Sequence, residues 1–146
     1  MPYDADTGTI VWRLHLRSHP ETVFRALATD GGRARFWGES ALEQDGIIYF
    51  RFPNGMEWQG RILERQENVR FAVDYFGSRV EFALKADGGG GTDLVLTDRG
   101  VPAEDREETL AGWVSVLLAL KGAVDHGIDL RNHDPSRTWD QGYVDN

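Results

Sequence analysis

Lys121 is the residue that most invites a chemical reading. It stands in LAGWVSVLLALKGAVDHG, residues 110 to 127, a segment apolar enough to be a buried helix. At about 100° per residue, Leu110, Trp113, Val114, Leu117, Leu118, Leu120, Lys121, Val124 and Ile128 fall on one broad face. A buried ammonium without a partner is costly enough to lose its proton. Two readings follow. In one the four-carbon stem packs on apolar surface while the charge reaches the rim; in the other it points into a pocket, toward an acidic ligand group or a carboxylate such as Glu64, Asp74 or Asp98.

The aromatic residues are the second signal. Trp12, Trp37, Trp58, Trp113, Phe50, Phe52, Phe71 and Tyr75 are numerous for a chain of 146 residues, and aromatics dominate burial energetics wherever they pack. Trp58 and Gly60 share a strand parity, which suggests a cavity wall where the glycine leaves space. Phe36 and Trp37 follow two glycines and suggest a gate. If Phe50 and Phe52 face inward, Tyr49 and Arg51 face solvent, so the phenylalanines are the expected lining. The expected ligand contacts are Trp37, Phe50, Phe52, Trp58, Phe71, Tyr75, Trp113, Leu117 and Lys121, an apolar set with few polar anchors.

Other chemistries find less support. Asp125, His126, Asp129, His133 and Asp134 raise the question of a metal, but their spacing across a glycine C-cap places no regular ligand set on one face, and no metal or cofactor is expected. Asp87 to Gly91 lacks the lysine and the following helix of a phosphate-binding loop, and no nucleophile elbow is present. The chain has no cysteine, which removes thiol catalysis and Cys-based zinc sites. A formal charge of -8 without a basic run argues against nucleic acid as a partner.

The elements that must position these residues alternate clearly. Thr9 to Arg17 places Ile10, Trp12, Leu14 and Leu16 on one side, the period of a half-buried strand. SHPETVFRALATD reads as a short helix, with Ser18 and Glu21 at capping-box spacing and Pro20 in its first turn. RARFWG adds a second helical turn. Asp45 to Ala86 holds four strands divided by turns at Asp45-Gly46, Pro53-Asn54-Gly55, Glu67-Asn68 and Gly77-Ser78. Thr92 to Arg99 is a sixth strand, and Pro102 opens the long helix that ends near Gly127. No membrane-spanning segment or signal core is read, and a cytoplasmic location is expected.

Three stretches carry a resemblance: PETVFRALATDGGRARFWG, the strand start GRILE, and LAGWVSVLLALK. They resemble the START-like or SRPBCC superfamily, and within it the group related to the C-terminal domain of the heat-shock-protein ATPase activator. The resemblance implies an α+β helix-grip (START/Bet v-like) fold, a curved six-stranded antiparallel sheet around the long C-terminal helix, with two short helices after the first strand. It implies an apolar cavity between sheet and helix, and members use such cavities as lipid carriers, cyclases, resistance proteins or chaperone activators. Residues 1–128 form the expected ligand-binding domain and 129–146 a tail. Gly112, Ser115, Ala119, Gly122 and His126 form a stripe of mostly small residues on the helix back, where the tail, through Trp139 or Tyr143, or a second subunit could dock. The function expected first is non-enzymatic binding of a small hydrophobic molecule. Chaperone-activator-like interaction comes next, with a stress-response association and a homodimer or chaperone partner, and a cyclase- or hydrolase-like enzyme is third.

Overall fold

A computed structural model describes every residue, Met1–Asn146. The strands are β1 (Tyr3–Asp4), β2 (Thr9–Leu16), β3 (Ser40–Gln44), β4 (Ile47–Arg51), β5 (Glu57–Gln66), β6 (Arg70–Tyr75), β7 (Ser78–Ala86) and β8 (Thr92–Arg99). The helices are α1 (Pro20–Ala28), α2 (Asp30–Arg33) and α3 (Arg106–His126). One antiparallel sheet runs in the order β1-β2-β8-β7-β6-β5-β4-β3, so the only non-sequential neighbours are β2 and β8. The helices that interrupt the chain between β2 and β3 pack with α3 over the inward face, as a helix-grip fold requires.

The sheet has eight strands where six were expected. β1 is only a two-residue pairing of Tyr3 with Ile10 and Asp4 with Thr9. β3, SALEQ, contributes one fully buried side chain, Ala41, and so shows no alternation to read. It becomes a strand because Asp45 and Gly46 both take positive φ, 53° and 79°, and this turn folds Ser40–Gln44 back on β4. Pairing, rather than patterning, makes this element.

Elsewhere the alternation translates directly into burial. Ile10 and Leu16 on β2, Phe71 and Val73 on β6, Val80 and Phe82 on β7, and Leu94 and Leu96 on β8 are fully buried, and all but Ile10 share one core with α1 and α3. Gly60 on β5 does not open space. A Cβ there would lie 2.5 Å from the Asp74 carbonyl oxygen and 3.0 Å from Val73 Cγ2, so the glycine lets β5 and β6 approach closely.

The link from β2 to α1 departs from the capping-box reading. The N-cap of α1 is His19 and makes no side-chain cap bond. Ser18 instead joins the other end of the fold, donating its hydroxyl to the Val124 carbonyl (2.8 Å) and Asp125 Oδ1 (2.7 Å). Asp125 also accepts the backbone N–H groups of Arg17 (2.9 Å) and Ser18 (3.0 Å). Burial pushes the Asp125 carboxyl up, but these donors and Lys121 together outweigh it and hold the group below the ordinary carboxylate range.

α3 is rotated from the expected face. Trp113, Leu117 and Leu120 are buried against the sheet, and Ala119, Gly122 and Ala123 are buried as well, while Val114 and Leu118 are 39% and 50% exposed. Two flanks of this helix are covered. The sheet takes one, and the segment after Gly127 runs back along the small residues. Leu130 lies so close to Gly122 that a Cβ there would be 2.9 Å from Leu130 Cδ1, and the Ser115 hydroxyl donates to the Val144 carbonyl at 2.5 Å.

Candidate functional site

A cavity of about 540 Å³ opens between the N-terminal half of α3, the β4–β5 and β6–β7 turns and the C-terminal tail. Its apolar lining comes from Phe36, Trp37, Phe52, Tyr75, Trp113 and Val116, with Gly112, Ser115 and Ala119 supplying room on the helix side. The small residues of α3 thus do face a surface, one shared between the cavity and the tail.

Trp37 is the centre of the aromatic packing. Its ring lies 4.8 Å from Phe50, 5.2 Å from Tyr75, 5.5 Å from Phe82 and 6.1 Å from Trp113. These separations are those of offset and edge-to-face pairs, each worth about 0.5–1.5 kcal/mol beyond the area buried. Trp37 and Phe36 are only 1% exposed, so they form the floor of the cavity rather than a gate. The segment between α2 and β3 brings them there because Arg33 pins it: its guanidinium donates to the carbonyls of Ala41 (3.0 Å) and Leu27 (3.1 Å) and to Asp30 Oδ1 (2.7 Å). Burial lowers the pKa of Arg33, against opposing effects of Asp30 and Glu43.

Trp37, Phe52, Tyr75 and Trp113 therefore line the cavity, and the other expected contacts stand elsewhere. Phe50 stacks behind Phe52 at 6.0 Å, and Phe71 is fully buried against Phe24. Leu117 packs in the core between helix and sheet. Trp58 stacks on Phe76 at 4.9 Å and donates its indole N–H to the Asp74 carbonyl, outside the cavity, because close strand packing at Gly60 leaves no room on that side. Lys121 lies outside the cavity, two residues past its last helical residue, Ala119, and its Nζ is 2.6 Å from the His15 carbonyl oxygen and 3.4 Å from Asp125 Oδ2.

One polar residue of the cavity is not among the expected contacts. Asp98 is 1% exposed, on the inward parity of β8 that Leu94 and Leu96 share. Its Oδ2 accepts the Trp113 indole N–H at 2.8 Å. Its Oδ1 accepts no hydrogen bond: the Ser78 hydroxyl, near enough to lower the carboxyl's pKa, is turned away and donates to the Tyr75 carbonyl at 3.0 Å. Trp37 Nε1, also buried, makes no hydrogen bond of ordinary geometry, though it lies near enough to the Tyr75 hydroxyl to oppose the effect of burial on that phenol. Burial pushes the Asp98 carboxyl above the ordinary range, against smaller opposing effects of Ser78 and Trp113, and burial likewise raises the Tyr75 phenol. The signal in the sequence was an acid at the end of the run L94-x-L96-x-D98, where an apolar residue belongs.

The tail forms the outer wall. Arg131 donates to the carbonyls of Gly38 (2.5 Å) and Ala34 (2.7 Å), and Trp139 Nε1 donates to Glu108 Oε1 at 3.0 Å across the mouth. His133 bridges Asp129 (2.6 Å) and Glu39 (2.9 Å), so the acids and histidine of this segment bond one another and the α2–β3 link. Among all residues no group of three acids and histidines has metal-site geometry. The hydrogen bonds to Asp129 and Glu39 raise the His133 pKa. Because the folded value is raised, this contact stabilises the docked tail fully below the unfolded pKa of about 6.5 and loses its effect as pH rises through the folded value. Hydrogen exchange at Asn132 N–H, which bonds the Asp145 carbonyl, is expected to slow below that pH after correction for intrinsic rates, and His133→Gln to remove the dependence.

The sequence matches the family described as "Activator of Hsp90 ATPase homolog 1-like protein" over residues 17–125, from the end of β2 to the end of α3. The chain belongs to this family. Its fold is accordingly that of the START-like group, and the match ends at Asp125, before the tail that walls the cavity. Solved structures agree on the fold. Protein SSP2350 from Staphylococcus saprophyticus has a TM-score of 0.73 at 24% identity, covering 84% of this chain and 96% of that one. The Aha1 dimer from Colwellia psychrerythraea has 0.70 at 22%, covering 82% and 97%. CalU16 from Micromonospora echinospora has 0.59 at 20%, covering 82% and 77%. No curated protein matches the chain. No helix is long and apolar enough to cross a membrane.

Proposed function

We propose that this protein binds a small, largely apolar molecule, without chemical conversion, in the cavity that α3 forms with the β4–β5 and β6–β7 turns and the C-terminal tail, the space between α3 and the sheet being filled by the core. The observation that carries the reading is the cavity itself: about 540 Å³, floored by aromatic rings and holding buried polar atoms without partners. Ligand sites have this composition, an apolar lining with a few placed polar groups, and this size. Titration of the protein with 2-naphthylmethanol, followed by native mass spectrometry and tryptophan fluorescence, is expected to show one bound molecule and a change in emission. A closed protein that gives neither would overturn the reading.

The family description supports a second reading, chaperone-activator-like protein interaction, and a structural neighbour is a dimer. This reading uses the outer surface, where Val114 and Leu118 are exposed on α3. Pull-down with the cognate Hsp90 and an ATPase assay test it, and absence of both complex and stimulation removes it.

A further inference from the structure

We propose that the cavity selects a cationic ligand, an amine whose ammonium meets Asp98 while its hydrocarbon or aromatic body lies against the cluster of Trp37, Tyr75 and Trp113. The inference rests on the reading of this cavity as a ligand site and adds the charge of what enters it.

Asp98 supplies the first reason. Buried polar atoms in native proteins are almost always hydrogen-bonded. Here a carboxylate oxygen on the cavity lining, in a residue 1% exposed, has no partner, while the other oxygen is fixed by Trp113. An ammonium or another strong donor completes that site; a carboxylate ligand would add a second acceptor where a donor is missing.

Charge at the mouth supplies the second. Asp105, Glu108 and Asp140 also line the cavity, and the sole base there is Arg131. Its guanidinium is already committed to Gly38, Ala34 and Asp129. The donors that Glu108 and Asp140 receive, from Trp139 and Asn54, are uncharged and leave the negative charge in place. Low-dielectric walls of one sign concentrate the field and raise the local concentration of the opposite ion.

The rings are the third. Trp37, Tyr75 and Trp113 pack on one another at centroid separations of 5.2, 5.3 and 6.1 Å and together form an aromatic side of the cavity, against which a ligand lies. Cations over such faces are favoured, most strongly where water is excluded. Lys121, the residue that first suggested an acidic ligand, lies outside the cavity and cannot reverse this balance.

Three probes of one shape test the proposal in the full chain: 2-naphthylmethylamine, 2-naphthylmethanol and 2-naphthoate, each titrated at neutral pH and followed by the tryptophan indole resonances in NMR. The amine is expected to bind about tenfold or more tightly than the alcohol, and the carboxylate most weakly. Asp98→Asn, which keeps an acceptor for Trp113, should cut the amine's affinity about tenfold and leave the alcohol within about twofold. Should that variant fail to fold, the double substitution Glu108→Gln, Asp140→Asn at the mouth is read instead, with a weaker amine preference and a smaller salt dependence expected, since Asp98 remains. Equal binding of amine and alcohol overturns the cationic preference and leaves the ligand site standing. No response from any probe at millimolar concentration overturns both.

Discussion

Replacing Arg33 with alanine is expected to lower stability by about 4 kcal/mol, since two buried backbone carbonyls lose their donor and a large side chain leaves a void. At about 2–4 °C per kcal/mol for a chain of this size, the melting temperature should fall by roughly 8–16 °C. The side chain is fully buried and reaches Leu27, Asp30 and Ala41, three points that fix how α1, α2 and β3 meet. Arg33→Lys should recover only part of the loss, because an ammonium lacks the planar fork that serves separated acceptors. Since the same corner presents Phe36 and Trp37 to the cavity, a probe ligand should weaken along with the fold. A calorimetric loss below about 1 kcal/mol would mean that the corner is held by other contacts.

Gly112→Phe is expected to do the reverse: abolish ligand binding while leaving the fold intact. Gly112 lines the cavity, and no atom lies within 4 Å of the Cβ it lacks. The side chain therefore starts in open space on the cavity side, and exchanging glycine for another residue inside a helix adds about 0.5 kcal/mol of stability. Affinity for 2-naphthylmethylamine should drop at least about tenfold with the melting temperature unchanged or slightly higher. Unaltered affinity would place the ligand elsewhere. The pair of substitutions separates the two roles of this region, since one removes the scaffold and the other fills the space it encloses.

Much of the architecture was readable because strand and helix periods are local. The inward faces of β2, β6, β7 and β8 follow from alternation alone, and the long helix from its apolar face and its closing glycine. β3 was not readable, since SALEQ acquires its conformation from the Asp45-Gly46 turn and from pairing with β4. The site was readable only in part. Trp37, Phe52, Tyr75 and Trp113 reach the cavity, but whether an inward aromatic lines a space or fills it depends on the neighbouring strand, which is why Trp58, Phe50 and Phe71 stand outside it. Lys121 was ambiguous because its partners, the His15 carbonyl and Asp125, come from a distant strand and from the next turn of its own helix. Asp98 had a signal, an acid on a buried parity, whose meaning depends on the unpaired oxygen that only the folded chain reveals.

The central claim is that a small molecule occupies the cavity beside α3, and the tryptophans allow a direct test. In a ¹H–¹⁵N titration with 2-naphthylmethylamine, the indole resonances of Trp37 and Trp113 should move together and saturably. Those of Trp12 and Trp58, which bond the Leu110 and Asp74 carbonyls outside the cavity, should stay in place. Saturable shifts at Trp58 or Trp12 with Trp37 and Trp113 unmoved would contradict the account.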